Sequence, residues 1–372
     1  MNDPKEIPEP TAASGPLAGL RVVEFAGIGP GPHCAMLLAD LGADVLRIDR
    51  AGGNGWANPI VDRGRAVLTI DIRTDEGRDR CYQACDLADV IIEGFRPGVM
   101  ERLGLGPDVL LRRNPRLIFG RVTGWGQEGP LARIAGHDIN FIALTGALAA
   151  MGAPEDRAAI PLNLVGDFGG GSMFLAFGIM AALHERSRSG LGQVVDAAIV
   201  DGVNSLMTMF TGLLPAGRIS LARADNILGG AAPYYRTYFC SDGREIAVGP
   251  IEPQFWAAFL TRLGIDPTDP EASRDRDSWP ATARKLEHIF RQRDQSFWCH
   301  VFEGSDACVT PVLTAQEATA HPHHEAREGF IVHDALLQAA PTPRFSRTPG
   351  QIRCSRSGET ELKRWSMNRK AE

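Results

Sequence analysis

Short apolar runs and helical patterns alternate along the first half of the chain. The segment 19–25 (GLRVVEF) is apolar and β-branched, as buried strands are, and 33–41 (HCAMLLADL) has helical spacing. Repeated strand–helix–strand units are typical of parallel sheets, so we predict a large Rossmann-like α/β domain. The alternation predicts strands at 19–25, 44–49, 67–72, 90–93, 117–122 and 194–198 and helices at 33–41, 75–84, 172–188 and 199–213.

The pattern changes after residue 214. Glycine and proline punctuate 215–233, and the apolar segments 234–239 and 245–248 flank Ser241-Asp242-Gly243, which predicts a β-hairpin. Amphipathic patterns then predict helices at 255–263, 282–291 and 295–302. We therefore expect a flexible tail at 1–15, the large domain at 16–200, a linker at 201–232, a smaller α+β domain at 233–324 and a C-terminal segment at 325–372.

Composition disfavours several classes of protein. Of the 372 residues, 44% are hydrophobic and 23% charged, which is typical of globular rather than disordered chains. A net charge of −6 gives no electrostatic reason to expect a nucleic-acid partner. The longest apolar run, 173–183, is shorter than the roughly 20 residues of a membrane span, so no membrane partner is expected. Seven cysteines without a CxxC pair, behind a polar N-terminus, indicate reduced thiols and a cytoplasmic protein.

Two polar clusters stand at predicted element boundaries. At the first, Asp138 is either a cap that accepts backbone N–H bonds, or its neighbour His137 exchanges protons near pH 7. At the second, Asp167 precedes three glycines and a predicted buried helix; it is either an ordinary N-terminal charge or an acid beside a glycine-lined helix start. Glu252, between two prolines, is by default a solvated turn residue.

Several familiar motifs are incomplete. A dinucleotide fingerprint requires glycine where Pro32 follows Gly27 and Gly29, which disfavours an NAD site. The histidines of 321–324 (HPHH) lack the companions of a metal site, so no metal is predicted. Neither a Walker sequence nor a GxSxG nucleophile elbow occurs.

A set of segments spread over residues 16–315 carries a family resemblance. The segments are 16–24 (PLAGLRVVE), 35–44 (AMLLADLGAD), 47–50 (RIDR), 95–98 (FRPG), 124–127 (GWGQ), 136–140 (GHDIN), 163–167 (NLVGD), 248–254 (VGPIEPQ) and 306–311 (DACVTP). In this combination and order the chain resembles CoA-transferase family III, the CaiB/BaiF type, and within it the α-methylacyl-CoA racemases.

The resemblance implies an activity and roles for three residues. Family transferases usually carry an aromatic residue at the His137 position, whereas racemases need two proton carriers on opposite faces of one carbon. His137 and Asp167 would be that pair, with Glu252 orienting and charging His137. The implied reaction interconverts (2R)- and (2S)-2-methylacyl-CoA by 1,1-proton transfer through an enolate, without a metal or redox cofactor. The alternatives are a family III CoA-transferase with Asp167 as covalent nucleophile and a non-catalytic CoA-binding paralogue.

The resemblance also implies how CoA and a second subunit are bound. Arginines would line the phosphate path, 70–72 would contact adenine, and 136–141 would meet pantetheine, with backbone N–H groups near the start of the 169–171 helix stabilising the enolate oxygen. The implied partners are an acyl-CoA substrate and a second copy of the chain in an interlocked homodimer, with 325–372 returning to the large domain. The implied substrate-binding residues are Ile28, Arg50, Ile70, Asp71, Ile72, Arg73, Arg96, Arg102, Gly136, Asp138, Ile139, Asn140 and Phe141.

Overall fold

Two compact units make up the chain in the computed structural model. The structure describes residues 14–53, 55–153, 156–223, 225–269 and 272–369, so the predicted flexible tail lies outside the described residues except for its last two positions. The large unit comprises Met1–Thr145, Pro161–Leu206 and Ala326–Glu372, and the small unit comprises Gly146–Ile160 and Met207–Glu325. The chain passes from one unit to the other at 145/146, 160/161, 206/207 and 325/326. The sequence analysis placed boundaries at 200/201, 232/233 and 324/325, and it did not separate 146–160 from the large domain.

A parallel sheet forms the centre of the large unit. Its strands, in chain order, are β1 Arg21–Phe25, β2 Asp44–Asp49, β3 Arg65–Thr69, β4 Val90–Glu93, β5 Ile118–Thr123, β6 Val194–Ala198 and β12 Arg356–Ser357. The spatial order is β12-β3-β2-β1-β4-β5-β6, and the pairs are parallel throughout. Strands 3-2-1-4-5-6 in this order define the doubly wound Rossmann arrangement, which confirms the predicted fold class.

Helices cover both faces of this sheet. Their apolar side chains join two core clusters, one around Leu46 and Phe119 and the other around Val22 and Ile118. Helix α1 begins at Pro30, three residues before the predicted start, because proline is well tolerated in the first helical turn. The helices are α1 Pro30–Asp40, α2 Asp75–Cys85, α3 Val99–Arg102, α4 Pro107–Arg113, α5 Asp138–Leu144, α6 Met173–Ser189, α7 Ile199–Leu206 and α14 Gly358–Arg369.

The glycine segment is helical, which corrects the prediction that it precedes a helix. Residues Leu164–Ser172 form a wide, π-type helix that runs directly into α6. Tertiary packing explains the glycines: a Cβ on Gly202 would lie 1.9 Å from the backbone oxygen of Gly170, so this helix and α7 touch backbone to backbone. The N–H groups of 169–171 are therefore inside a helix rather than at its start, and their stabilisation of an enolate oxygen stays a prediction.

This continuous helix, Leu164–Ser189, is the one among the described residues that is long and apolar enough to cross a membrane by length and composition. The sequence analysis counted only 173–183, because the glycines interrupted the apolar run. In the large unit Leu175, Ile179 and Ala182 of this helix are buried. Helices in protein cores share such a composition, and the expectation of no membrane partner stays a prediction.

Arg65 forms an ion pair inside the large unit. Its Nε lies 3.0 Å from Glu24 Oε2, and both side chains are 0% exposed. Arg65 also donates to the backbone oxygen of Pro32. A side chain enclosed in this way is unavailable to a phosphate in solution.

The C-terminal segment from Ala326 belongs to the large unit. Strand β12 extends the sheet beside β3, and Arg364 of α14 lies 2.6 Å from the buried carboxylate of Asp44. The segment also contains an antiparallel hairpin of β10 Phe330–His333 and β11 Leu336–Ala339. The sequence analysis predicted no helix here.

The small unit has its own sheet and core. Three antiparallel strands include the predicted hairpin, and aromatic side chains such as Trp256, Phe259 and Phe290 fill the core. The predicted helix 199–213 is two helices that break at Met207. The strands, which lie side by side in this order, are β7 Arg236–Phe239, β8 Glu245–Val248 and β9 Val309–Pro311. The helices are α8 Thr208–Leu213, α9 Pro253–Arg262, α10 Trp279–Phe290, α11 Gln295–Phe302, α12 Ala315–Thr319 and α13 Pro322–Ala326.

Candidate active site

The predicted CoA-binding residues follow the carboxyl ends of neighbouring strands. Ile28 follows β1, Arg50 follows β2, 70–73 follow β3, and Arg96 follows β4. In a doubly wound sheet ligands bind outside the carboxyl ends, where the strand order reverses. That reversal lies between β1 and β4 in this sheet, so the topology places these residues along the edge where a ligand is expected.

A cavity of about 230 Å³ opens at this edge within the large unit. Its lining includes Arg96 from the loop after β4, Trp125 after β5, and Gly136, His137 and Phe141 around the start of α5. Four predicted site residues are thus brought to one cavity.

Glycines shape one wall of the cavity. The Phe141 ring packs edge-on against Trp125, with ring centres 4.8 Å apart. A Cβ on Gly124 would lie 2.0 Å from this ring, and one on Gly136 would lie 2.7 Å from it. Both positions therefore require glycine, and Phe141 is largely buried support for the wall.

His137 stands at the entrance to α5 as its N-cap residue. Its backbone N–H donates to Asn140 Oδ1 at 3.0 Å, which secures the helix start from the backbone side. The imidazole is exposed at the cavity. The fold therefore holds the main chain of His137 and leaves its ring accessible.

Asp167 is half-buried in the first turn of the wide helix. Asn163 Nδ2 donates to its Oδ2 at 3.4 Å, and a Cβ on Gly29 would lie 3.1 Å from the same oxygen. Burial raises the pKa of Asp167 above its ordinary value; the Asn163 hydrogen bond lowers it, the charge of Asp138 raises it, and that of His137 lowers it. The hydrogen bond from the Asp167 N–H to Asp138, the residue after His137, brings the backbones of the two candidate proton carriers into one part of the large unit.

Asp138 connects the two candidate proton carriers. It follows His137 in the chain, and its Oδ2 accepts the backbone N–H of Asp167 at 2.7 Å. Asp138 is thus a cap, as one alternative from the sequence held, but of a helix that begins 26 residues later. Burial raises the pKa of this carboxyl as well.

His33 is a neighbour of Asp167 that sequence reasoning missed. Its ring stacks on Phe168 with centres 4.4 Å apart, and its Nδ1 lies 2.7 Å from Ser172 Oγ. Burial, followed by the charges of Arg65 and Arg63, lowers the pKa of His33, which favours the neutral ring. No motif in the sequence pointed to this residue.

Other predicted binding residues are less available than expected. Ile70 is 8% exposed and packs in the core, and Ile72 packs against the same cluster. The guanidinium of Arg73 pairs with Asp71 at 2.8 Å, while Arg50 donates from Nε to the oxygen of Gly53 at 2.8 Å. The contacts of 70–72 with adenine stay a prediction, and Ile70 is the least accessible of the three residues.

The remaining predicted residues are exposed or lie in the other unit. Arg102, Ile139 and Asn140 are exposed in the large unit, as is Ile28 after β1. Glu252 belongs to the small unit, where it is exposed and stands as the N-cap of α9. Its predicted role beside His137 stays a prediction.

Comparison with known proteins gives the family. The sequence model of CoA-transferase family III matches residues 17–356. The chain belongs to CoA-transferase family III. It is 44% identical to a Mus musculus protein named alpha-methylacyl-CoA racemase and 41% identical to the Homo sapiens protein of that name, each over 90% of this chain and 87% of that protein.

Family III also contains transferases similar to this chain. The Chloroflexus aurantiacus protein named succinyl-CoA--D-citramalate CoA-transferase is 33% identical, over 91% of this chain and 89% of that protein. The crystal structure of a CAIB/BAIF family protein from Brucella suis matches with a TM-score of 0.80 at 26% identity, covering 96% of this chain and all of that one. The family III fold therefore extends over nearly the whole chain.

Proposed function

We propose that this family III protein is an acyl-CoA racemase that interconverts (2R)- and (2S)-2-methylacyl-CoA thioesters. The observation that carries the proposal is the pairing of two groups able to carry a proton. His137 lines the cavity, and the next residue, Asp138, accepts the backbone N–H of Asp167 at 2.7 Å. The two mammalian relatives named alpha-methylacyl-CoA racemase, at 41% and 44% identity, support the same activity.

The proposed reaction is a 1,1-proton transfer. The thioester acidifies the α-C–H bond of the substrate; one carrier takes this proton to leave an enolate, and the other returns a proton to the opposite face of the same carbon. Exchange with water then restores both carriers. A raised pKa suits Asp167, because its carboxyl must hold a proton in one direction of the reaction.

The reaction as proposed uses no metal or redox cofactor, because side chains supply both proton transfers. Among the described residues, His333, Asp334 and Cys354 bring possible ligand atoms within 4.8 Å of one another, but none of the three lines the cavity. The seven cysteines are unpaired, which supports the expected cytoplasmic location. The proposal includes neither a nucleic-acid nor a membrane partner.

The CoA moiety is proposed to bind along the carboxyl edge of the sheet. Arg96 on the cavity and the exposed Arg50 and Arg102 nearby in the fold offer guanidinium groups to its phosphates. Arg73 would have to leave its pair with Asp71 to contribute, or bind as part of that pair.

We also propose that the active form is a homodimer in which Glu252 orients His137. The large unit supports a subunit interface, because helix α6 exposes Met173 and the ring of Phe177, which is 74% exposed. Large apolar side chains at successive turns of one helix are typical of surfaces covered by another chain.

A single incubation separates racemisation from the alternatives. The protein is mixed with (2R)-2-methylacyl-CoA in deuterated water, and optical purity and α-deuterium content are followed. Loss of optical purity with deuterium incorporation is expected. Transfer of CoA to an added carboxylate without α-exchange would favour the transferase with Asp167 as nucleophile, and CoA binding with neither reaction would favour the non-catalytic paralogue.

The variant His137→Ala tests the assignment of the site. Removing a proton carrier is expected to slow racemisation by about 10²–10⁴-fold, while CoA affinity changes little because the ring carries none of the phosphate contacts. Racemisation retained in His137→Ala would refute the assignment.

A further inference from the structure

Asp138 makes an unusual contact for a residue beside a candidate catalytic histidine. Its side chain is 8% exposed, and Oδ2 accepts the N–H of Asp167 at 2.7 Å. The first turn of any helix leaves N–H groups without intrahelical acceptors. Asp138 satisfies one of these groups in the helix that carries Asp167.

The helix Leu164–Ser172 lacks a side-chain cap from its own N-cap residue. Asn163 occupies the N-cap position of Leu164–Ser172 but makes no side-chain cap. Its amide instead donates to Asp167 Oδ2. The acceptor for the Asp167 N–H therefore comes from α5, through tertiary structure.

Gly166 supplies the space for this contact. A Cβ at this position would lie 2.2 Å from Asp138 Oδ2 and 2.7 Å from Asp138 Cγ. These distances are far below any real carbon contact, so the carboxylate and a side chain at 166 exclude each other. Because glycine has no Cβ, the Asp138 carboxylate can reach the helix backbone at Gly166.

The contact carries an electrostatic cost that a purely structural cap would avoid. Asp138 places a second carboxylate near Asp167, and among the described residues no group donates a hydrogen bond to Asp138 Oδ1. A hydroxyl or amide acceptor would cap the helix without a like charge. The cost indicates a role beyond capping.

We infer that Asp138 is a positioning residue that holds Asp167 at a set distance from His137. One peptide bond joins it to His137, and one hydrogen bond joins it to the backbone of Asp167. The two candidate proton carriers, 30 positions apart in sequence, are thereby held by a single residue. This inference rests on the proposed function only for its kinetic consequence.

The test compares Asp138→Ala and Asp138→Asn with the full-length wild type. In Asp138→Ala the turnover number for 2-methylacyl-CoA racemisation is expected to fall by about 10²-fold, as for a catalytic group displaced by about 1 Å, with KM within about twofold. Asp138→Asn keeps an acceptor oxygen and should recover at least tenfold of that loss. Equal losses in both variants, or a change confined to KM, would overturn the inference.

A second measurement does not depend on turnover. Hydrogen–deuterium exchange in 164–172 should accelerate in Asp138→Ala, because the Asp167 N–H loses its acceptor. Asp294→Ala is the matched control: it removes a carboxylate that accepts the Phe297 N–H at 2.8 Å in the small unit, so it should change neither that exchange nor racemisation. Unchanged exchange in Asp138→Ala would refute the contact. A wild type that exchanges as expected but does not racemise would instead refute the proposed function.

Discussion

Gly166→Ala should disable the site without replacing either proposed proton carrier. The new Cβ would start 2.2 Å from Asp138 Oδ2, whereas ordinary contacts begin at 3.4 Å. The carboxylate must therefore recede by roughly 1.2 Å, which stretches its 2.7 Å bond to the Asp167 N–H beyond hydrogen-bond range. Ile142 Cγ2, 3.0 Å from the same Cβ, restricts the alternative movement.

The magnitude follows from the bond that is lost. A hydrogen bond to a charged group contributes about 1.5–3 kcal/mol, and overpacking adds about 1–3 kcal/mol. We expect a loss of several kcal/mol in the free energy of unfolding and a roughly 10²-fold fall in turnover number. Urea denaturation measures the first, and loss of optical purity of (2R)-2-methylacyl-CoA measures the second.

A double-mutant cycle separates the carboxylate clash from general damage. In the Asp138→Ala background the clashing atoms are absent, so Gly166→Ala should cost much less there than in the wild type. Gly212→Ala provides the control, because a Cβ at Gly212 meets nothing within 4 Å. Additive effects of the two substitutions, or wild-type turnover in Gly166→Ala, would refute the reasoning.

Burial and charge in the large unit lead to three more expectations. Asp167→Asn should abolish racemisation yet raise Tm at pH 7 by about 2–4 °C, which corresponds to a gain of about 1 kcal/mol in the free energy of unfolding. Burial raises the folded-state pKa of Asp167, so ionisation of this carboxyl opposes folding as pH rises above 3.8. The gain in Tm should therefore disappear when it is measured below that pH. A gain that persists there would contradict this cause. Arg65→Met should lower the free energy of unfolding by about 3–5 kcal/mol in urea, because Glu24 is left buried without its cation; a loss below about 1 kcal/mol would show that the pair is not enclosed. Phe177→Glu should convert the proposed dimer to monomer in analytical ultracentrifugation, and an unchanged dimer would exclude α6 from the interface.

Local patterns were sufficient for several strands of the large sheet. The strands 44–49, 90–93 and 194–198 were predicted with the observed bounds, because short apolar runs with β-branched residues between turns are typical of buried strands. The helix of 164–172 was missed, since glycine has low helix propensity. Its close packing on α7 overrides that propensity, and single-sequence patterns do not contain such packing.

The candidate site was predictable only in part for a related reason. Family resemblance pointed to His137 and Asp167, and the structure brings them together. The resemblance also implied that Ile70 and Asp138 bind substrate. Ile70 packs in the core. The contact from Asp138 to the backbone of Asp167 spans 29 positions and two elements, so no spacing rule could have revealed it.

The adjacent residues His137 and Asp138 act on Asp167 with opposite sign. A positive charge on His137 lowers the pKa of Asp167, and the charge of Asp138 raises it. Substituting either residue therefore changes the proton affinity of Asp167 besides removing its own function. His137→Ala removes the influence that favours the carboxylate, whereas Asp138→Ala removes one that disfavours it. Loss of activity in these two variants has different electrostatic causes, and only Asp138→Ala also frees the backbone that carries Asp167.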